Sequence, residues 1–187
     1  MDASIREYRP TDQTEVLDLS LRAWEPNFAS MEDVLGREIC TRLHGDDWRA
    51  YQSKCVRDVL ADRAIQVWVG ENANGNLVGF AAAKVVDLDR RLGEVVMVAV
   101  DPGGSGRGLG TVLTQHATDW LRAQGMQTAM IGTGGDAGHA AARRTYAKAG
   151  YTPDAARALL QGPVVIMLRL SDDLPEQVMR SRSRRGR

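Results

Sequence analysis

The sequence predicts a mixed α/β domain in which helices pack on a central sheet. Two observations lead to this fold class. Short apolar runs such as Ala64–Gly70 alternate in the manner of strands, whereas apolar residues elsewhere recur every three or four positions, as on one face of a helix. Taken in order, the segments give one strand and three helices, then three strands, then helix, strand, helix and two closing strands.

The N-terminal third combines one strand with three helices. The strand covers Ile5–Arg9, and Asp12 with Glu15 forms a capping-box-like helix start. Pro26 lies just beyond the first helix, and the polar stretch HGDD, His44–Asp47, separates the second from the third. The helical spacing is carried by Val16, Leu17, Ser20, Ala23 and Trp24 in the first helix, by Met31, Leu35, Ile39 and Leu43 in the second, and by Trp48, Tyr51, Cys55, Val59 and Leu60 in the third.

Strand patterns dominate the middle of the chain. Ala64–Gly70 is the first of three strands, and Asn74-Gly75 is a strong signal for a hairpin turn before the returning strand Leu77–Val86. The third strand, Glu94–Val100, is nearly all apolar, so we expect it to lie in the middle of the sheet.

Two helices and three strands complete the domain. Gly125 and Gly150 follow the two helices, as glycines at helix C-termini commonly do. We predict one domain over residues 1–170 and, because SRSRRGR lacks apolar residues, a disordered basic tail over residues 171–187. The helical spacing is carried by Leu109, Val112, Leu113, Ala117, Trp120 and Leu121 and then by Ala142, Thr145, Tyr146 and Ala149, and the strands are Met126–Gly132, Ala156–Leu160 and Val164–Leu170.

Composition and charge argue against several classes of protein. The 24 Lys and Arg residues balance 24 Asp and Glu residues, so the overall charge gives no reason to expect nucleic acid or an anionic membrane as partner. No apolar run approaches the roughly 18 residues of a membrane span, and the start lacks the pattern of a signal peptide. Cys40 and Cys55 suggest neither a zinc site nor a disulfide scaffold, so we expect core residues or free thiols in a cytoplasmic protein.

The stretch DPGGSGRGLGT, Asp101–Thr111, places five glycines between a buried strand and a helix. Bare backbone amides at a helix N-terminus form a common phosphate site. The stretch is not a P-loop, because Leu109 and Gly110 stand where that motif needs Lys and Ser or Thr. No glycine completes the G-x-G-x-x-G spacing of a dinucleotide fold either. The placement at a helix start favours a phosphate site over a merely flexible turn.

One strand after this loop comes a second block, HAAARRTYAKAGY, His139–Tyr151. The loop segment Ser105-Gly106-Arg107-Gly108-Leu109-Gly110 and this block resemble two motifs of the GNAT superfamily of acetyl-CoA-dependent N-acetyltransferases, Q/R-x-x-G-x-G/A and N-x-x-A-x-x-x-Y-x-K-x-G-F. Ser105 replaces the usual Gln or Arg, and His139 replaces the usual Asn. The resemblance extends from Ile5 to Leu170 and implies a sheet of about six to seven strands with helices on both faces.

The resemblance implies acetyl-CoA as co-substrate, no metal, and direct transfer of the acetyl group to an amine without a covalent enzyme intermediate. It places the diphosphate on the amides of Gly106–Thr111 and the pantetheine along Met97–Val100. His139, in place of the usual Asn, can still form a hydrogen bond, or it can cap the helix or contact the substrate. The expected cofactor-binding residues are Val98, Ala99, Val100, Ser105, Gly106, Arg107, Gly108, Leu109, Gly110, Thr111 and His139.

Two residues are candidates for moving protons. Glu94 is the one carboxylate that enters an apolar strand, and burial would raise its pKa toward that of a useful base. An exposed carboxylate, with a water chain as base, is the equal alternative. The resemblance gives Tyr146 the role of protonating the leaving thiolate, although its position on the apolar face beside Ala142 and Ala149 also fits a core aromatic.

The resemblance places the acceptor pocket at the first helices. Trp24, Phe28 and Trp48 there would suit a cationic amine, and core packing explains them equally well. We therefore predict an N-acetyltransferase for a small-molecule amine. The alternatives are acetylation of a protein lysine or N-terminus, and a non-catalytic acyl-CoA-binding regulator. The sequence leaves a homodimer open.

Overall fold

The computed structural model describes residues 3–104, 106–153 and 166–171. Its elements follow the predicted order, with short 3₁₀ turns at Pro10–Asp12 and Pro102–Gly104. The strands are β1 (Ser4–Glu7), β2 (Ile65–Glu71), β3 (Leu77–Asp87), β4 (Leu92–Val100), β5 (Thr128–Thr133), β6 (Thr152–Pro153) and β7 (Ile166–Ser171). The helices are α1 (Gln13–Leu35), α2 (Arg37–His44), α3 (Trp48–Ala61), α4 (Leu109–Ala123) and α5 (Ala140–Lys148).

A seven-stranded sheet in the order β1-β2-β3-β4-β5-β7-β6 forms the centre of the molecule. The pairs from β1 to β4 are antiparallel, β4 and β5 are parallel, and β7 pairs antiparallel with both β5 and β6. The predicted fold class is therefore confirmed. β4 is the middle strand, as its nearly continuous apolar sequence predicted.

Helices cover both faces of the sheet, and each face has its own apolar core. α1 and α3 supply Val16, Leu19, Val56 and Val59, which pack with Val67, Val69, Phe80, Ala82 and Ala99 of the sheet. α4 and α5 supply Leu113, Ala117, Leu121 and Tyr146, which pack on the other face with Ala81, Ala83, Val95, Ala129 and Ile131. The alternation of side chains along β2, β3 and β4 directs successive residues to the two cores.

The first two helices differ from the prediction. α1 continues through Pro26 to Leu35, although a proline removes one backbone donor from a helix interior. Burial of Phe28 beyond the proline helps to hold the two halves of α1 in one helix. Gly36, with a φ of 77°, ends α1, so Met31 belongs to α1 and not to a separate second helix.

The predicted capping box of Asp12 and Glu15 is also wrong. The side chain of Asp12 makes no capping hydrogen bond to α1 and instead accepts from Arg6 Nη1 at 2.7 Å and Nη2 at 3.0 Å. Glu15 Oε1 accepts from the amide of Leu77 at 2.7 Å. Asp12 is thus used by β1 and the turn before α1, and Glu15 by a residue 62 positions away, in place of the capping bonds that the spacing suggested.

Part of the predicted C-terminal region lies outside the described residues, namely the strand Ala156–Leu160, residues 164–165 of the last strand and residues 172–187 of the tail. Ser171 is the final residue of β7, one position beyond the predicted end of the domain. In the part of the chain that is described, no helix is long and apolar enough to cross a membrane. Within the same residues, no group of three His, Cys, Asp or Glu side chains is arranged to hold a metal ion.

Candidate active site

The sheet opens between its two parallel strands. β4 and β5 pair as far as Val95 and Ile131, while β4 keeps its pairing with β3 to Val100. Val96 is an extra residue of β4 against β3, because Val95 pairs with Ala83 and Met97 with Ala82. Such a bulge bends a strand, and it lies where β4 and β5 separate.

A groove of about 490 Å³ extends from this opening. Its walls are the second half of β4, the end of β5, the glycine loop with the first turn of α4, one face of α5, and α1. Arg107 is not in the groove lining, and Ser105 lies outside the described residues. The predicted cofactor-binding residues that line the groove are Val98, Ala99, Val100, Gly106, Gly108, Leu109, Gly110, Thr111 and His139.

The glycine loop has the backbone that a phosphate cradle needs. Gly106 and Gly108 have φ values of 80° and 85°, a region that residues with a Cβ adopt only with strain. Gly108 immediately precedes α4, and the first amides of a helix have no partner within the helix. A Cβ on Gly110 would lie 3.2 Å from Thr145 Cγ2, so the glycine lets α4 approach α5 closely. The amides of Leu109, Gly110 and Thr111 thus form a site suited to a diphosphate.

Asp101 holds the beginning of this loop. Its Oδ1 accepts from the amide of Gly103 at 2.9 Å, and its Oδ2 accepts from Arg22 Nε at 2.8 Å. Because Arg22 belongs to α1, this ion pair ties the loop to a helix that forms another wall of the groove.

Tyr146 belongs to a core cluster and also lines the groove. The residue is only 7% exposed, and its ring centroid lies 6.5 Å from that of Tyr151. Burial, with a smaller contribution from Tyr151, raises the pKa of the Tyr146 hydroxyl well above its usual value. The hydroxyl is therefore protonated around neutral pH and able to donate. The two alternatives that the sequence left open, core aromatic and proton donor, are compatible in this geometry.

Glu94 lies between the buried and the exposed alternatives that the sequence left open. Its Oε2 lies 3.2 Å from Lys84 Nζ across the β3–β4 pair, and 31% of the side chain is exposed. Both side chains reach water from the sheet surface, which keeps Glu94 from full burial. Glu94 is also outside the groove lining. Its role as the base stays a prediction.

The three aromatic residues predicted for the acceptor separate into two groups. Trp24 lines the groove, with its ring 6.3 Å from that of Phe80. Phe28 and Trp48 lie outside the groove lining and stack on each other at 4.5 Å, with 21° between the ring planes. Phe28 and Trp48 thus pack on each other, as the core-packing alternative expects. Of the three residues, Trp24 alone faces the groove.

A hydrogen-bonded cluster that the sequence analysis did not identify surrounds Asp136. The side chain is 2% exposed, and Oδ2 lies 2.6 Å from His139 Nδ1. Oδ1 accepts from Ser30 Oγ at 2.7 Å and from the amide of Gly138 at 2.8 Å. Burial alone would favour the neutral acid, but the bonds from Ser30, His139 and Gly138 outweigh it and lower the pKa of Asp136. The D-x-x-H spacing of Asp136 and His139 is a sequence signal that could have indicated this cluster. No pattern in the sequence indicates that Ser30 belongs to it.

The cluster decides between the alternatives for His139. The residue precedes α5, yet its side chain makes no capping hydrogen bond. The capping alternative is therefore wrong. The imidazole instead lies in the wall of the groove beside Gly138 and Thr133.

A groove between diverging parallel strands, with a glycine cradle at the start of the next helix, has backbone donors that suit a phosphate-bearing ligand. Residues 28–151 match the model of the Acetyltransferase (GNAT) family. The chain belongs to this family of acetyltransferases.

Known proteins resemble the chain in sequence and in fold. The mycothiol acetyltransferase of Amycolatopsis mediterranei (strain U-32) is 34% identical in an alignment 147 positions long, which covers 72% of this chain and 46% of that protein. The chain spans less than half the length of the curated relatives it matches. The PaiA N-acetyltransferase from Thermoplasma acidophilum, solved in complex with coenzyme A, has a TM-score of 0.65 at 13% identity, covering 91% of this chain and 99% of that one. The spermidine N-acetyltransferase from Vibrio cholerae, solved with CoA and spermine, has a TM-score of 0.60 at 15% identity, covering 90% and 95%.

Proposed function

We propose that the protein transfers the acetyl group of acetyl-CoA to an amine of a small molecule. The observation that carries this proposal is the groove that opens where β4 and β5 separate, with the glycine cradle in one wall and Tyr146 in another. The named activities of similar proteins support it, since they include mycothiol acetyltransferases and a spermidine N-acetyltransferase.

The groove fits the parts of acetyl-CoA. The diphosphate would accept hydrogen bonds from the amides of Leu109, Gly110 and Thr111 at the start of α4. Arg144 and Lys148 also line the groove and could neutralise a further phosphate. The extended pantetheine arm would lie along Val98–Val100, where β4 has no described pairing with β5 and can offer main-chain groups to the amides of the arm.

Acetyl transfer needs a proton acceptor, a polarised carbonyl and a proton donor. A lysine-type amine has a pKa of about 10.4, so it must lose a proton before its nitrogen can attack. Glu94, directly or through a water chain, is the acceptor that the sequence suggests. Amides near Val98 and Ala99 would polarise the thioester carbonyl. Tyr146, which is protonated around neutral pH, would donate to the sulphur as the carbon–sulphur bond breaks.

Release of the CoA thiol, measured across a panel of acceptors, tests the proposal. The panel would contain spermidine, spermine, amino-acid derivatives, aminoglycosides and lysine-containing peptides, with acetylated products identified by mass. Acetylation of one class of small amine is the expected result. Acetylation of peptides alone would favour a protein acetyltransferase, and binding of acetyl-CoA without any product would favour a non-catalytic regulator. A cytoplasmic location and a homodimer stay predictions.

A further inference from the structure

We propose that Asp136 and His139 form a proton-accepting pair in the groove wall, in which His139 takes a proton from the acceptor amine and Asp136 orients the imidazole. The inference rests on the proposed acetyl transfer and assigns a second candidate base. The family resemblance does not supply it, because the family motif has Asn at the position of His139.

The hydrogen bond to Asp136 determines which ring nitrogen of His139 is available. An ionised carboxylate can only accept, so the contact of 2.6 Å between Oδ2 and Nδ1 requires the hydrogen on Nδ1. The neutral ring then carries its lone pair on Nε2. Among the described residues, Nε2 has no hydrogen-bond partner, and the side chain is 15% exposed in the groove wall.

The position of His139 along α5 separates it from the phosphate cradle. Thr145 of α5 is the residue that approaches Gly110 in the cradle. His139 precedes Thr145 by six residues, and the helix rise of 1.5 Å per residue puts it about 9 Å away along the helix axis. Near His139 lie Ser30 of α1, which bonds to Asp136, and Gly134 just after β5, where an added Cβ would meet the imidazole. The imidazole therefore faces the part of the groove that lies away from the diphosphate site.

The pair is held rigidly. Asp136 receives bonds from Ser30 and from the amide of Gly138, and that amide also donates to Ser30 Oγ at 3.0 Å. Arg143 Nη1 donates to the carbonyl oxygens of Gly134 at 2.6 Å and Asp136 at 2.7 Å, which fixes the loop before α5. Rigid orientation of an imidazole by a buried carboxylate is a common arrangement for a catalytic base, because the carboxylate also stabilises the imidazolium.

The proton balance of the step is complete. One proton of the acceptor ammonium passes to His139 Nε2, and the imidazolium later releases it to solvent. The free amine attacks the thioester carbonyl, the carbon–nitrogen bond forms and the carbon–sulphur bond breaks. The second proton of the nitrogen passes to solvent, the leaving sulphur gains a proton from Tyr146, and solvent returns a proton to the Tyr146 hydroxyl. The products are an acetamide and the CoA thiol, with one proton released.

The imidazole of His139 lies near both acidic and basic groups. Asp136 lies at Nδ1, Arg143 is held on backbone carbonyls of the preceding loop, and Arg144 and Lys148 line the same groove. From α1, the neutral residues Asn27 and Ser30 face this region. A neutral imidazole is required for the step, because only the unprotonated ring has a lone pair that can accept the proton of the amine.

Kinetics of variants of the full chain test the assignment. We expect H139N, which carries the residue of the family motif, to lower kcat by about 100-fold to 10,000-fold, with the Kd of acetyl-CoA changed less than about threefold. Added imidazole should restore part of the activity of H139A. D136N should act similarly, because its amide group would turn the hydrogen onto Nε2. H116N is the matched control, since His116 packs on Trp68 within α4 and is outside the groove lining.

Nitrogen NMR of the imidazoles gives a readout besides activity. The chain has three histidines, so assignment through H44N, H116N and H139N is direct. We expect neutral His139 to carry its hydrogen on Nδ1 and its resonances to shift when acetyl-CoA is added. A hydrogen on Nε2, or an H139N enzyme that keeps kcat/KM within threefold of the wild-type value, would overturn the inference alone. If no amine in the panel is acetylated, the proposed function fails first and the catalytic role of His139 fails with it.

Discussion

Val95 of β4 and Ile131 of β5 are the last described pair between the two parallel strands. Beyond this pair β4 continues for five residues with β3 as its neighbour, and its other edge faces the groove. A sheet edge with free main-chain groups is normally covered or paired. The extended, amide-containing arm of acetyl-CoA can cover this one, so the separation of two strands explains both the position of the groove and the kind of ligand it suits.

The Tyr146→Phe change tests the proton donor. It keeps the ring in the core and removes the hydroxyl, so we expect kcat to fall by about 100-fold or more while the Kd of acetyl-CoA is nearly unchanged. Steady-state kinetics and calorimetry measure the two quantities. Because burial raises the pKa of Tyr146, activity should show no loss from its ionisation up to about pH 9.

Tyr151→Phe is the control for that experiment. Its hydroxyl is bonded to Thr118 Oγ1 at 2.8 Å and lies in the same core cluster. Loss of this bond should lower the free energy of unfolding by about 1 kcal/mol and leave kcat within about threefold. Equal losses of activity in the two variants would show that Tyr146 acts only through packing.

Trp24→Ala tests the acceptor side of the groove. Trp24 lines the groove beside Asn27, so its removal should raise the KM for the amine by roughly tenfold, with little change in the Kd of acetyl-CoA. Trp48→Ala is the comparison. Because Trp48 stacks on Phe28 outside the groove lining, we expect reduced thermal stability and an unchanged KM for the amine. A KM that responds to Trp48 and not to Trp24 would place the acceptor elsewhere.

Asp12→Asn tests the ion-pair cluster that joins β1 to the start of α1. Hydrogen bonds from Arg6 lower the pKa of Asp12, so the folded state gains stability above the ordinary aspartate pKa of about 3.9 and loses it as the pH falls further. The variant should be less stable by roughly 1 to 2 kcal/mol at pH 7 in urea unfolding.

The difference between Asp12→Asn and wild type should begin to shrink as the pH falls below the ordinary aspartate pKa of about 3.9, where the unfolded chain takes up the proton, and should vanish once folded Asp12 is protonated at still lower pH. Glu38→Gln is the control, because Glu38 and Arg42 form an exposed pair on α2 and contribute little. A stability difference that is the same at pH 7 and pH 3 would exclude the ionic explanation for Asp12.

The order of the elements and the cradle were predictable, because apolar periodicity and glycine spacing are local properties of the sequence. Glu94 was assessed from its apolar neighbours in the sequence. That pattern could not show Lys84 on the adjacent strand, with which Glu94 pairs at the partly exposed surface of the sheet. The same holds for Asp12 and Glu15, whose partners Arg6 and Leu77 are set by tertiary structure.

The Asp136–His139 pair shows most clearly what the sequence alone could not predict. The two residues are three positions apart, but the burial of Asp136 depends on Ser30, which lies 106 positions earlier in the chain.

The end of α1 was misjudged for a different reason. Pro26 is a reliable signal for the end of a helix only where no tertiary packing, such as that of Phe28, continues beyond it.

Calorimetric titration of acetyl-CoA into Gly108→Asp and Gly75→Asp tests the central claim most directly. Both glycines have a left-handed φ, 85° and 80°, and a Cβ on either would meet nothing within 4 Å, so both variants carry similar backbone strain and the same added charge. Only Gly108 lies in the groove, whereas Gly75 lies in the turn between β2 and β3.

We predict that Gly108→Asp weakens binding of acetyl-CoA by at least about tenfold, through charge repulsion and strain in the cradle, and that Gly75→Asp binds like the wild type. Unchanged binding in Gly108→Asp, or equal weakening in both variants, would contradict the assignment of this groove to acetyl-CoA.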